Sequence, residues 1–116
     1  MPSLKDELLK LKNKVDGING VLVVGRDGFV LDFVGDFEAE EVGAICSTAI
    51  GAVETMGNDL GQGVLDALMA EFETGKVIVS LVDEEAILVT VTDAKANLGG
   101  IRYNIRKIKA SLKEAL

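Results

Sequence analysis

The sequence holds no histidine and no tryptophan, one cysteine, one proline, and only four Phe and one Tyr as aromatics. Each scarcity removes a class of function. Without histidine, neither Ser–His nor Cys–His catalysis can operate. A lone Cys46 cannot close an internal disulfide, which suits a reducing compartment. So few aromatics leave no platform on which bases can stack, and the core must be aliphatic. No apolar run approaches the roughly 20 residues that span a bilayer. The first residues also lack the apolar segment of a signal peptide, so a cytoplasmic location is expected.

What is present reads as one globular domain over residues 1–116, with 48% apolar and 27% charged residues. The net charge of −7 is unevenly spread. Residues 1–35 carry five acids and five bases, residues 36–93 carry thirteen acids against Lys76 alone, and residues 94–116 carry six bases against Glu114. An acidic body argues against nucleic acid, whose binding rests on neutralising phosphates. The basic C-terminal segment reads as a solvated helix face that complements that body.

Periodicity divides the chain into eight elements. Pro2-Ser3 followed by Asp6 and Glu7 signals a helix start with Ser3 as N-cap, and Leu4, Leu8, Leu11 and Val15 recur at helical spacing until Gly17. Val21–Val24 and Phe29–Val34 are strand-like runs, and the Asp27-Gly28 pair between them marks a hairpin. A helix is expected from Phe37 to about Leu60, with Val42, Ile45, Ala49, Val53, Met56 and Leu60 as its buried stripe. Leu65–Phe72, Val77–Val82 and Ala86–Thr92 read as three more strands joined by short hairpin connections. A last helix begins near Asn97 and buries Leu98, Ile101, Ile105, Ile108 and Leu112. The order α-β-β-α-β-β-β-α implies an α+β fold whose antiparallel sheet must be covered by helices.

The middle helix is the most informative segment. Val42–Val53 contains no charge. With the stripe above facing the sheet, the opposite side carries Gly43, Ala44, Ser47, Thr48 and Gly51, a small and nearly apolar surface where Lys and Glu are normal. Two glycines inside a helix cost about 1 kcal/mol each relative to Ala, a loss that close approach of another backbone offsets. Either another element of the chain covers this side or a second copy does. The other two helices each have one apolar stripe and a charged outer side, which favours the second copy.

Three features in this order carry a family resemblance. They are Val15-Asp16-Gly17-Ile18-Asn19-Gly20-Val21-Leu22-Val23-Val24 running into Arg26-Asp27-Gly28, the small-residue helix, and Ala96-Asn97-Leu98-Gly99-Gly100-Ile101-Arg102. Over essentially its full length the chain resembles the roadblock/dynein-light-chain domain family, and in its short single-domain form the GTPase-regulator branch. The resemblance implies a profilin-like sheet of five antiparallel strands with one helix on one face and two on the other. It also implies homodimers in which the middle helices lie side by side and the sheets join edge to edge. In this sequence the joining edge is the strand Leu65–Phe72, with Leu65, Ala67 and Met69. It further implies a role as a homodimeric, non-catalytic regulator or scaffold of a small Ras-like GTPase. The expected dimer and partner surface comprises Glu40, Gly43, Ala44, Ser47, Thr48, Ile50, Gly51, Glu54 and Asn58 together with that edge. A purely structural light-chain-type subunit is the alternative within the family.

Other chemistry is thinly signalled. No Gly-x-x-x-x-Gly-Lys-Ser/Thr loop is present, and Gly57–Gly63 reads as a helix stop and turn. Cys46 has no base near it in sequence and reads as a buried structural thiol. Asp83-Glu84-Glu85 offers oxygen ligands for a hard cation, but three acids in a hairpin turn read as solvated. Arg26 at a hairpin tip reads as a surface charge before an arginine finger. A small-molecule sensor would need Asp32, Asp66, Ser80, Thr90 or Thr92 to converge on an enclosed pocket. No catalytic residue, cofactor or metal is expected, and neither is nucleic acid or membrane insertion.

Overall fold

The first helix shows how closely local sequence dictates local structure. The Ser3 hydroxyl accepts the Asp6 N–H at 3.2 Å while the Asp6 carboxylate accepts the Ser3 N–H at 3.2 Å, a reciprocal cap that starts α1 (Leu4–Lys14). These atoms belong to a computed structural model that describes residues 3–116; Pro2, read above as part of the helix start, lies outside the described residues. The remaining elements are β1 (Ile18–Gly25), β2 (Val30–Val34), α2 (Ala39–Asp59), β3 (Ala67–Glu71), β4 (Gly75–Leu81), β5 (Ala86–Asp93) and α3 (Leu98–Ala115).

The five strands form one antiparallel sheet in the order β2-β1-β5-β4-β3, so β2 and β3 are its edges. The turn between β1 and β2 closes with Gly25 N–H donating to the Phe29 carbonyl at 2.8 Å, and Gly28 takes φ +93°, which a side chain would resist. The turn before β5 is closed by Asp83, whose Oδ1 accepts the N–H groups of Glu85 at 2.8 Å and Ala86 at 3.0 Å.

Helices cover both faces. Helices α1 and α3 bury Leu8, Leu11, Ile101, Ile105, Ile108 and Leu112 against Val21, Val23, Ile78 and Leu88. Helix α2 packs from the other side on Leu22, Val24, Ile87 and Val89. Alternate residues of β1 thus enter opposite cores, which is why Val21–Val24 is continuously apolar rather than alternating. At the start of α3, Asn97 accepts the Gly100 N–H at 3.0 Å, and Ile101, Ile105, Ile108 and Leu112 of the expected stripe are buried, with Leu98 half-buried at its edge.

The structure corrects the orientation of α2. Its buried residues are Ala39, Gly43, Cys46 and Ile50, whereas Ile45, Met56 and Leu60, expected on the sheet, are 67%, 55% and 63% exposed. The helix is turned by roughly 80° from the face that bulk apolarity selects. Contact geometry explains the turn: a Cβ at Gly43 would meet the methyl carbons of Val24 and Val30 at 3.2 Å. The helix therefore seats low on β1 and β2 at Gly43, with Ala39, Cys46 and Ile50 completing the contact face. Gly43 serves this contact within the chain and not an approach by a second backbone.

The two mid-helix glycines consequently respond to side chains in opposite ways. A Cβ at Gly51 meets nothing within 4 Å, so Gly51→Ala is expected to raise stability by up to about 1 kcal/mol through helix propensity. Gly43→Val overpacks a filled contact and is expected to lower it by about 1–3 kcal/mol. Urea unfolding at one fixed protein concentration checks both; shifts of the same sign would contradict this seating.

Candidate docking surface

Because α2 lies mainly over β1, β2 and β5, its flank covers Val79 of β4 but leaves the outer margin of β4 and β3 only partly covered. The result is an open groove of 230 Å³ between the flank of α2 and the sheet margin. Ile45, Cys46 and Ala49 form its helix wall, and Leu68, Phe72 and Val79 lie on the strand side. No lining residue carries a charge, hydroxyl or amide side chain. Ile45 and Phe72, at 67% and 61% exposure, are large apolar groups facing water. Met56 continues the same helix flank, eleven residues beyond Ile45 and therefore three turns along.

The groove runs beside the unpaired edge of β3. This edge differs from that of β2. Ala67–Ala70 carries no charge, whereas β2 bears Asp32, ion-paired with Lys5 at 3.1 Å, and a register shift opposite Val23 and Val24. Charges and bulges are how an edge is blunted against further pairing, and β3 shows neither between Ala67 and Ala70.

The residues expected to meet a partner separate into two groups. Glu40, Ala44, Thr48 and Asn58 are exposed, Gly51 opens onto space, and Leu65, Ala67 and Met69 lie before or on β3. Gly43 and Ile50 instead face the sheet, and the Ser47 hydroxyl donates to the Arg26 carbonyl at 2.7 Å. Glu54 is ion-paired with Arg26, both side chains about one-quarter exposed. These last four hold α2 to the sheet and the β1–β2 hairpin, a consequence of the corrected rotation. Ile45, Met56, Leu68 and Phe72 were missed as surface groups. The available signal was an apolar arc on α2 wider than one sheet contact can cover.

The remaining candidates do not assemble a reactive centre. Arg26 is engaged by Glu54 and so is not a free guanidinium at a hairpin tip. Burial pushes the Cys46 thiol pKa up, away from the reactive thiolate. No cluster of three or more metal-ligating Cys, Asp or Glu side chains occurs among the described residues. Thr90 and Thr92 are buried in the sheet, and Asp32 turns to Lys5. Asp66 and Ser80 share a recess of only 20 Å³, room for about one water. An enclosed sensor pocket built from these five residues is not formed.

Comparison with known proteins agrees with this architecture. The Methanocaldococcus jannaschii protein MJ1340 is 43% identical over 111 residues, covering 93% of this chain and 96% of that protein. The Roadblock/LC7 domain from Streptomyces avermitilis superimposes with a TM-score of 0.92 at 17% identity, covering 97% of each chain. Myxococcus xanthus MglB superimposes with a TM-score of 0.88 at 16% identity, covering 96% of this chain and 92% of that one. A further MglB structure, with a tetrameric arrangement, gives the same TM-score of 0.88 at 20% identity, covering 97% and 90%. No helix among the described residues is long and apolar enough to cross a membrane. With residues 4–92 matching the family's own sequence pattern from α1 to the end of the sheet, the chain belongs to the Roadblock/LC7 domain family.

Proposed function

We propose that this chain is a homodimeric, non-catalytic regulator or scaffold that binds a small Ras-like GTPase through its paired α2 helices, working in the cytoplasm. The observation that carries the reading is the uncharged groove between α2 and β3 beside an unblunted sheet edge. A second copy satisfies both at once. Its β3 pairs with this β3 and occupies the free backbone donors and acceptors, while its α2 flank covers Ile45, Ala49 and Met56. Leu65, Ala67 and Met69 then lie at or beside the joined edge.

Dimerisation along this flank leaves the top of α2 open. The exposed residues there, Glu40, Ala44, Thr48, Gly51 and Asn58, form the partner platform in this reading. Self-association and partner docking therefore use adjacent surfaces of one helix. The platform is acidic: α2 contains Glu40, Glu41, Glu54 and Asp59 and no Lys or Arg. The GTPase surface that meets it is accordingly basic, and association weakens as salt rises. With Arg26 tied to Glu54, any effect on GTP hydrolysis or exchange comes from ordering the GTPase's own switch segments.

Two variants separate the two surfaces. Ile45→Glu places a carboxylate in the apolar flank and is expected to weaken dimerisation by about a hundredfold or more. Sedimentation equilibrium reads this directly, and a variant that stays a tight dimer would contradict the flank as the seam. Glu40→Lys with Glu41→Lys is expected to leave the dimer intact but to abolish co-elution with a Ras-like GTPase from the same organism loaded with a GTP analogue. Wild-type protein that fails to bind such a GTPase in both nucleotide states would contradict the partner assignment.

A further inference from the structure

Charge in this molecule is segregated by layer. Helices α1 and α3 carry nine of the twelve cationic residues and only three of the nineteen acids, so the face opposite α2 is basic although the chain is acidic. One end of the sheet departs from this layering. There the β1–β2 hairpin, the β4–β5 turn, the start of α1 and the end of α3 enclose an open concavity of 680 Å³. The Arg26 N–H donates to the Glu85 carbonyl at 2.9 Å, which fixes the two hairpin tips side by side.

The lining combines two chemistries. Leu4, Phe29, Leu31 and Leu116 supply apolar surface, and the last three are 74%, 51% and 48% exposed. Large apolar groups gathered in a concave patch mark an interaction surface, whereas single ones scattered over a protein do not. Around them stand Asp27, Asp83, Glu84 and Glu85. Among the described residues none of these four carboxylates has an ion-pair partner. The one cation in the lining, Arg26, is ion-paired with Glu54 and leaves them uncompensated. An occupant that covers the apolar groups must therefore bring positive charge to the rim.

We propose that this concavity docks a short cationic amphipathic helix of a partner protein. Aliphatic side chains of that helix cover Phe29, Leu31 and Leu116, while its Lys or Arg residues meet Glu84, Glu85 and Asp27. Strand addition at the neighbouring β2 edge is disfavoured by Asp32, its pair with Lys5 and the register shift, so the occupant presents a helix face. A second copy of this chain matches less well. Its cations lie on α1 and α3, whose apolar stripes are buried, so it offers charge without aliphatic anchors. The concavity shares no residue with the α2–β3 groove or with the platform on α2, so this assignment stands or falls separately from the GTPase reading.

The test is titration of the full-length ¹⁵N-labelled protein, followed by amide shifts, with a synthetic peptide of Leu and Lys patterned so that its leucines share one helix face. A counterpart with Glu in place of Lys is the control. Saturable shifts at residues 25–31, 83–86 and 115–116 are expected, at a dissociation constant on the order of 10–100 μM, with no binding of the Glu peptide. Phe29→Ser/Leu31→Ser is expected to weaken the Lys peptide about tenfold or more. Glu84→Gln/Glu85→Gln is expected to weaken it about tenfold and to flatten its salt dependence. All four side chains are exposed, so both variants retain the fold. Absence of saturable shifts at this end would overturn the assignment, as would shifts confined to α2 and β3. Binding indifferent to the Phe29 and Leu31 changes would reduce it to charge attraction and overturn it too. Shifts of the same amides with protein concentration alone would make a second copy the occupant and contradict the choice of partner.

Discussion

The seating of α2 on the sheet, through Gly43 against Val24 and Val30, governs most of what the outer surface offers. A glycine at the contact brings the helix axis close to β1 and β2, and that position selects Ala39, Cys46 and Ile50 as the other buried residues. Ile45 and Met56 lie on the flank turned away from that contact and remain outside. The same lateral position leaves β3 and the outer margin of β4 only partly covered. Groove and exposed flank thus follow from one close contact, and the open edge follows from the terminal place of β3 in the strand order.

Most of the architecture was legible because its signals are local. The Asp27-Gly28 turn, the Ser3 and Asn97 caps and the stripe of α3 each involve residues a few positions apart, and each appears where the residue types demand. The element order and the edge position of β3 followed from the hairpin lengths and the family resemblance. The rotation of α2 was not legible for an opposite reason. Its apolar residues span more than half the helical wheel, so the direction of greatest hydrophobicity is not the direction of contact. Close approach at Gly43 chose the contact face, and no periodicity reports packing distance. The same gap hid the Arg26–Glu54 pair, whose partners are 28 residues apart.

This correction changes what the small-residue surface means. Gly43 and Ser47 serve intrachain packing, while the apolar flank on Ile45, Ala49 and Met56 is the surface we propose a second copy covers. In the proposed arrangement pairing and docking do not compete for one strip of helix: the flank serves the first and the acidic top the second. The layered charge extends the division across the sheet, with an acidic α2 side and a basic α1–α3 side. Sheet and helices therefore present three chemically distinct surfaces on a chain of 116 residues.

The central claim is that β3 and the α2 flank meet their counterparts in a second copy, and hydrogen exchange of the β3 amides at a series of protein concentrations tests it most directly. The amides of Ala67–Glu71 that point away from β4 have no partner among the described residues and are expected to exchange rapidly in an isolated protomer. The account predicts strong protection of these amides at high concentration and its loss on dilution, in step with dissociation of the dimer. Rapid exchange at every concentration would show that this edge stays open, and would contradict the account.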